Sequence, residues 1–160
     1  MEVERQIILL AQYHVECVIV GGVAGIGHGV SLVTHDLDVC YARTPANLER
    51  LAQALKSVNA RLRGAPEGLP FVLDAETLKR GLNFTFQTDI GPLDLLGEVA
   101  GVGSFIEASE EAVLQDFFGY QFPILSLNKL IAAKSAAGRP KDLLVLAELE
   151  AIREAKRARN

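Results

Sequence analysis

The tightest constraint on this chain lies between Cys17 and Val39. A continuous apolar run, Cys17-Val-Ile-Val20, stops at Gly21-Gly22. A short β-branched run bounded by glycine reads as a buried strand entering a tight turn. Val23 to His28 then reads as a short helix of small residues, stopped by Gly29. Beyond it, Asp36-Leu-Asp-Val-Cys-Tyr41 alternates in strand fashion, and period-2 geometry puts Asp36 and Asp38 on the same face.

The rest of the sequence supplies the frame. Apolar spacing predicts a helix over 3–13, with Val3, Ile7, Leu10 and Ala11 on one face. Thr44 followed by Pro45 is a helix N-cap with proline at the first helical position, opening a helix to about Val58. Residues 61–70 carry glycines and prolines and read as loop, and 74–80 as a short helical turn. Leu82 to Thr88 and Pro92 to Leu96 read as strands joined at Asp89-Ile-Gly91. Val113 to Phe118 and Tyr120 to Leu125 read as two further short strands around Gly119. Ser126 can cap a helix running to Ala137 with Gly138 as its stop, and Pro140 opens a last helix. This order predicts an α/β (α+β) fold: a mixed sheet flanked by helices, with a C-terminal helical hairpin. Residues 1–125 form the expected core, and 126–160 the hairpin packed on it as one compact unit.

A chain of 160 residues fits one domain, and a 49% hydrophobic content can bury a real core. The formal net charge of -4 argues against gripping nucleic acid through a broad basic face. Basic residues do gather late, at Lys129, Lys134, Arg139 and Lys141, then Arg153, Lys156, Arg157 and Arg159. Cys17 and Cys40 sit in apolar runs without metal-ligand spacing, which predicts reduced, buried thiols. The N-terminus shows no secretory pattern. No apolar run approaches the roughly 20 residues needed to cross a bilayer. A soluble, cytoplasmic protein with no membrane partner is expected.

Chemistry concentrates on the opening feature. Glycine lets backbone approach a phosphate closely, and free N–H groups at a helix start favour anions. Two carboxylates on one strand face repel each other unless a cation sits between them, and hard oxygen ligands suit Mg²⁺ (or Mn²⁺) carrying a substrate phosphate. A third acid, Asp94, is embedded in the apolar strand Gly91-Pro-Leu-Asp-Leu-Leu96, where an unpaired carboxylate is costly. Its placement predicts that Asp94 borders the same cation site, and three such carboxylates can hold two metal ions. A dinucleotide-binding reading fails on spacing, since Gly25, Gly27 and Gly29 give Gly-x-Gly-x-Gly rather than Gly-x-Gly-x-x-Gly.

Gly21-Gly22, Asp36-x-Asp38 and a distant Asp94 together resemble the signature of the polymerase-β-type minimal nucleotidyltransferase superfamily. The stretch from Leu127 to Leu143, with Lys134, Arg139, Lys141 and Asp142, is more closely similar to small bacterial nucleotidyltransferases of toxin–antitoxin and abortive-infection systems. The resemblance spans roughly residues 16–150. It implies that Gly21, Gly22 and Thr34 cradle a nucleoside triphosphate and that Asp36 and Asp38 bind the metals. Asp94 is implied as third metal ligand or as base for the incoming hydroxyl. Lys134 neutralises a phosphate in this scheme, and Asp142 orients it or pairs with Arg139. The implied acceptor is a hydroxyl of RNA, such as tRNA, or of a partner protein.

One position departs from the pattern. Leu32 stands where relatives often carry an arginine ahead of Thr34-x-Asp36-x-Asp38. That departure keeps open a catalytically weak fold acting as an antitoxin or regulatory binding module; a nucleotidyltransferase acting on a small molecule such as an antibiotic is a further alternative.

Overall fold

A computed structural model describes residues 2–66 and 68–159. The elements follow in the order α1 (Glu2–Gln12), β1 (Cys17–Val20), α2 (Gly21–Gly27), β2 (Leu37–Tyr41), α3 (Pro45–Ser57), β3 (Arg61–Leu62), α4 (Ala75–Arg80), β4 (Asn83–Thr88), β5 (Gly91–Leu96), β6 (Glu98–Val99), β7 (Gly103–Ser104), α5 (Phe105–Ser109), β8 (Val113–Phe117), β9 (Tyr120–Ile124), α6 (Leu127–Ala137) and α7 (Pro140–Ala158). Among the described residues, seven strands make one mixed sheet in the order β3-β4-β5-β2-β1-β9-β8, and β6 and β7 pair separately. The expected mixed sheet with flanking helices and a helical C-terminus is what the chain forms.

Register places the functional face. β1 and β2 run antiparallel with Val20 opposite Asp38, and β2 runs parallel to β5 with Asp38 opposite Asp94. β5 then pairs antiparallel with β4, Asp94 opposite Thr85. Alternation does the rest. Leu37, Val39, Leu93, Leu95, Phe84 and Phe86 are buried on one face, while Asp38, Asp94 and Thr85 share the other. Both cysteines are free and buried, and burial pushes each thiol up to about 12, so neither is a reactive thiolate. Among the described residues, no helix is long and apolar enough to cross a membrane.

Asn47 locks the register of β1 and β2. It is fully buried in α3, accepts from the Glu16 N–H at 2.7 Å, and donates to Glu16 O at 3.0 Å and Ala42 O at 2.7 Å. Those partners lie just before β1 and just after β2. Asn47→Ala leaves buried backbone groups unpaired. It is expected to cost about 2–3 kcal/mol of unfolding free energy, measurable by urea titration.

Four segments differ from the sequence-based expectation. β2 begins at Leu37, so Asp36 lies just ahead of the strand and is exposed. β1 ends at Val20 opposite Asp38, leaving no ladder partner for Asp36, and the Thr34 hydroxyl lies 3.4 Å from the Asp36 N–H in a local turn. Within the expected loop 61–70, Arg61 and Leu62 form β3 against Gln87 and Phe86. The short strands β6 and β7 and the helix α5 fill 98–109, where periodicity gave no signal. The helix α2 begins at Gly21 itself rather than at Val23.

Candidate active site

The site forms where β1 ends and β2 begins. Gly21 has φ +67°, and a Cβ there would stand 2.2 Å from Asp38 Oδ2. The glycine is therefore required twice, by conformation and by the carboxylate packed against it. At Gly22 a Cβ would stand 3.1 Å from Thr34 Oγ1, so the Thr34 turn closes onto the second glycine. Gly21→Ala is expected to lower stability by about 1–3 kcal/mol and to displace the Asp38 carboxylate, read by thermal melting together with nucleotide titration.

Asp38 and Asp94 face each other across neighbouring parallel strands. The Asp38 carboxyl is pushed up to about 7, first by burial, then by the Asp94 carboxyl beside it and by Asp36; Lys134 pulls the other way. Asp94 accepts from Arg63 Nη2 at 2.9 Å. Thus the structure brings Gly21, Gly22, Thr34, Asp36, Asp38 and Asp94 to one end of the sheet.

The basic residues come from the helical hairpin. Asp142, the third residue of α7, is 1% exposed and accepts from Arg139 Nε at 2.6 Å, Arg139 Nη2 and the Arg139 N–H at 3.2 Å, and Lys134 Nζ at 3.3 Å. Hydrogen bonds from Arg139, then Lys134, hold its carboxyl below the usual range. Ser126 caps α6 through the Lys129 N–H, and Gly138 ends it at φ +63°. The loop between the helices is therefore fixed at both ends, which sets Lys134 and Arg139 over Asp38. Lys129, also basic and late in the chain, instead donates to the carbonyls of Glu107 and Glu110.

Two adjoining clefts meet at this ion cluster. The first, about 240 Å³, is lined by Gly22, Leu32, Thr34, Asp36, Lys141 and Val145 among others. The second, about 260 Å³, lies between α6 and the sheet and includes Asn83, Leu96, Glu98, Ala133 and Ala137. Asp38, Lys134, Arg139 and Asp142 line both. Leu130, Ala133, Lys134 and Ala137 follow helical i, i+3, i+4, i+7 spacing, so one face of α6 walls the second cleft. Larger hollows exist, including one of about 470 Å³ between α1 and β9. What distinguishes the smaller pair is the convergence of carboxylates and cations.

Sequence reasoning missed Arg63 and Asn83, and reads Glu98, just past the Asp94 strand, as a surface residue by default. Arg63 reaches Asp94 only through the pairing of β3, β4 and β5, which no local pattern announces. Glu98 and Asn83 join the second cleft from a strand too short to show alternation and from the first residue of β4.

This architecture is a nucleotidyltransferase fold. The lincosamide antibiotic adenylyltransferase LnuA, solved with lincomycin bound, is similar in structure with a TM-score of 0.62 at 13% identity, over 94% of this chain and 96% of that one. The antibiotic-resistance factor ANT(2'')-Ia is similar with a TM-score of 0.56 at 15% identity, over 99% of this chain and 90% of that one. No family model matches the chain, and no curated protein matches it significantly.

Proposed function

We propose that the chain is a metal-dependent nucleotidyltransferase, with a nucleoside triphosphate in the first cleft and a hydroxylated acceptor in the second. The observation that carries this is the register of Asp38 against Asp94, beside Gly21 and beneath Lys134 and Arg139. Burial, then the Asp94 carboxyl on the neighbouring strand, raises the Asp38 carboxyl toward neutrality, an electrostatic cost that a cation offsets. Exposed Asp36 and half-buried Asp38 are hard oxygen donors and fit Mg²⁺ or Mn²⁺. When bound, the ion neutralises triphosphate charge. Gly22 and Thr34 line the cleft that takes the phosphates, Lys134 balances phosphate charge, and Asp94 accepts the proton of the attacking hydroxyl. Among the described residues, three or more His, Cys, Asp or Glu side chains nowhere converge into a ready metal-holding group.

The acceptor is proposed to be a small molecule. The second cleft has the scale of a small-ligand site, is walled by α6 and the end of β5, and mixes apolar Leu96, Ala133 and Ala137 with Asn83 and Glu98. The names of the two structural neighbours concern antibiotics, which supports the same choice. An RNA or protein hydroxyl, and a toxin–antitoxin setting, follow from the sequence resemblance alone.

Calorimetry with Mg²⁺ and each common nucleoside triphosphate tests the first part. Micromolar binding that disappears without Mg²⁺ and in Asp36→Ala is expected; no binding to any of them defeats the reading. Mass spectrometry then tests the acceptor. A panel of hydroxylated small molecules that includes lincomycin is expected to yield one product heavier by a nucleotidyl group.

A further inference from the structure

Arg63 is set into the sheet edge, not loosely draped over it. Its N–H donates to Thr85 O at 2.9 Å, and Nη2 donates to Phe86 O at 2.7 Å as well as to Asp94 Oδ1 at 2.9 Å. Two of these anchors are β4 backbone. The pairing of Leu62 with Phe86 and of Thr85 with Asp94 fixes where the guanidinium arrives. The Arg63 and Asp94 side chains are 35% and 22% exposed, so the pair is only partly solvated. The row across the sheet thus reads Arg63, Thr85, Asp94, Asp38.

This arrangement bears on how many ions the acids can hold. A carboxylate that already accepts from an anchored guanidinium has spent part of its charge and lone-pair capacity. A divalent ion on Asp94 would sit within a few ångströms of that fixed positive charge, at a Coulomb cost that partial burial enlarges. Asp38 and Asp36 carry no ion pair of this kind among the described residues.

We propose that Arg63 takes the place of a second cation: the chain holds a single divalent ion on Asp36 and Asp38, while Asp94 stays on Arg63 outside the ligand set. The inference rests on the metal-dependent reading above and decides between the two roles open to Asp94, ligand or base.

The test counts Mn²⁺ bound to the full chain by electron paramagnetic resonance, with an equimolar non-hydrolysable ATP analogue. One ion per chain is expected for the parent and for Arg63→Lys, which keeps the positive charge, and two for Arg63→Gln. Asp94→Asn guards against a misfolded Arg63 variant. It is expected to keep one ion, as a non-ligand should. Two ions on the parent, one ion on folded Arg63→Gln, or loss of the ion in Asp94→Asn would each overturn the inference and leave the nucleotidyltransferase reading standing. No bound ion on the parent would overturn both.

Discussion

Asp38→Asn is expected to abolish Mg²⁺-dependent nucleotide binding while raising the melting temperature of the metal-free protein at pH 8. Both effects come from one carboxylate. Burial, then Asp94 and Asp36, push Asp38 up to about 7 in the folded chain, against roughly 3.9 unfolded. Below about pH 4 both states are protonated and the folded chain bears no penalty. Between about pH 4 and pH 7 the unfolded chain ionises first, so folded stability declines. Above about pH 7 the penalty is constant. At about 1.4 kcal/mol per unit the ceiling is about 4 kcal/mol, and partial solvation leaves about 2 kcal/mol. For a chain of this size that is about 5 °C at pH 8, vanishing near pH 4. Melting curves of parent and Asp38→Asn across that range, without metal, supply the measurement. A variant that melts lower than the parent at pH 8 would contradict the electrostatic account. Adding Mg²⁺ and nucleotide is expected to reverse the order, stabilising the parent alone.

The legibility of this site follows from the range of the interactions that build it. Thr44 accepts from the Asn47 N–H with Pro45 behind it, Ser126 from the Lys129 N–H, and Gly138 takes up the left-handed conformation that stops α6. Each is decided within four residues, so the sequence announces it. Gly21, Asp38 and Asp94 were also readable, since a glycine pair behind an apolar run and an acid inside one both break local rules. Their mutual placement was not, because the order β4-β5-β2-β1 is a matter of long-range pairing. The same limit hid Arg63, which looks like one of two loop arginines until β3 pairs with β4. It also hid the role of α6. Ala133 and Ala137 suit a packed interior as well as a cleft wall, and only the placement of α6 beside the ends of β1, β2 and β5 shows that they line a cleft. The strand placement of Asp36 differed for a smaller reason: the alternation continues two residues beyond Asp38, the last position for which β1 supplies a partner.

Asp142→Ala is expected to cost about 3–5 kcal/mol, the largest stability loss of any single substitution at the site. Asp142 is 1% exposed and organises the turn between α6 and α7 through four hydrogen bonds from Arg139 and Lys134. Removing it leaves Lys134, only 15% exposed, without its partner beneath the loop. Breaking one side of such a pair exceeds its net worth, because the remaining charge stays desolvated. The Asp142 carboxyl is held below the usual range, so its contribution is present above the unfolded value near 4 and is lost as pH falls through the lower folded value. Urea denaturation of parent and Asp142→Ala at pH 7 and pH 3 reads this directly: a large gap at pH 7 that narrows at pH 3. Lys134→Met separates stability from binding. Its own stability loss is expected to be smaller, and combined with Asp142→Ala it should recover part of the cost, since no buried cation is left over. Nucleotide affinity is expected to fall in Lys134→Met and to stay low in the double variant. Recovery of binding with recovery of stability would mean that Lys134 only braces the hairpin and does not meet a phosphate.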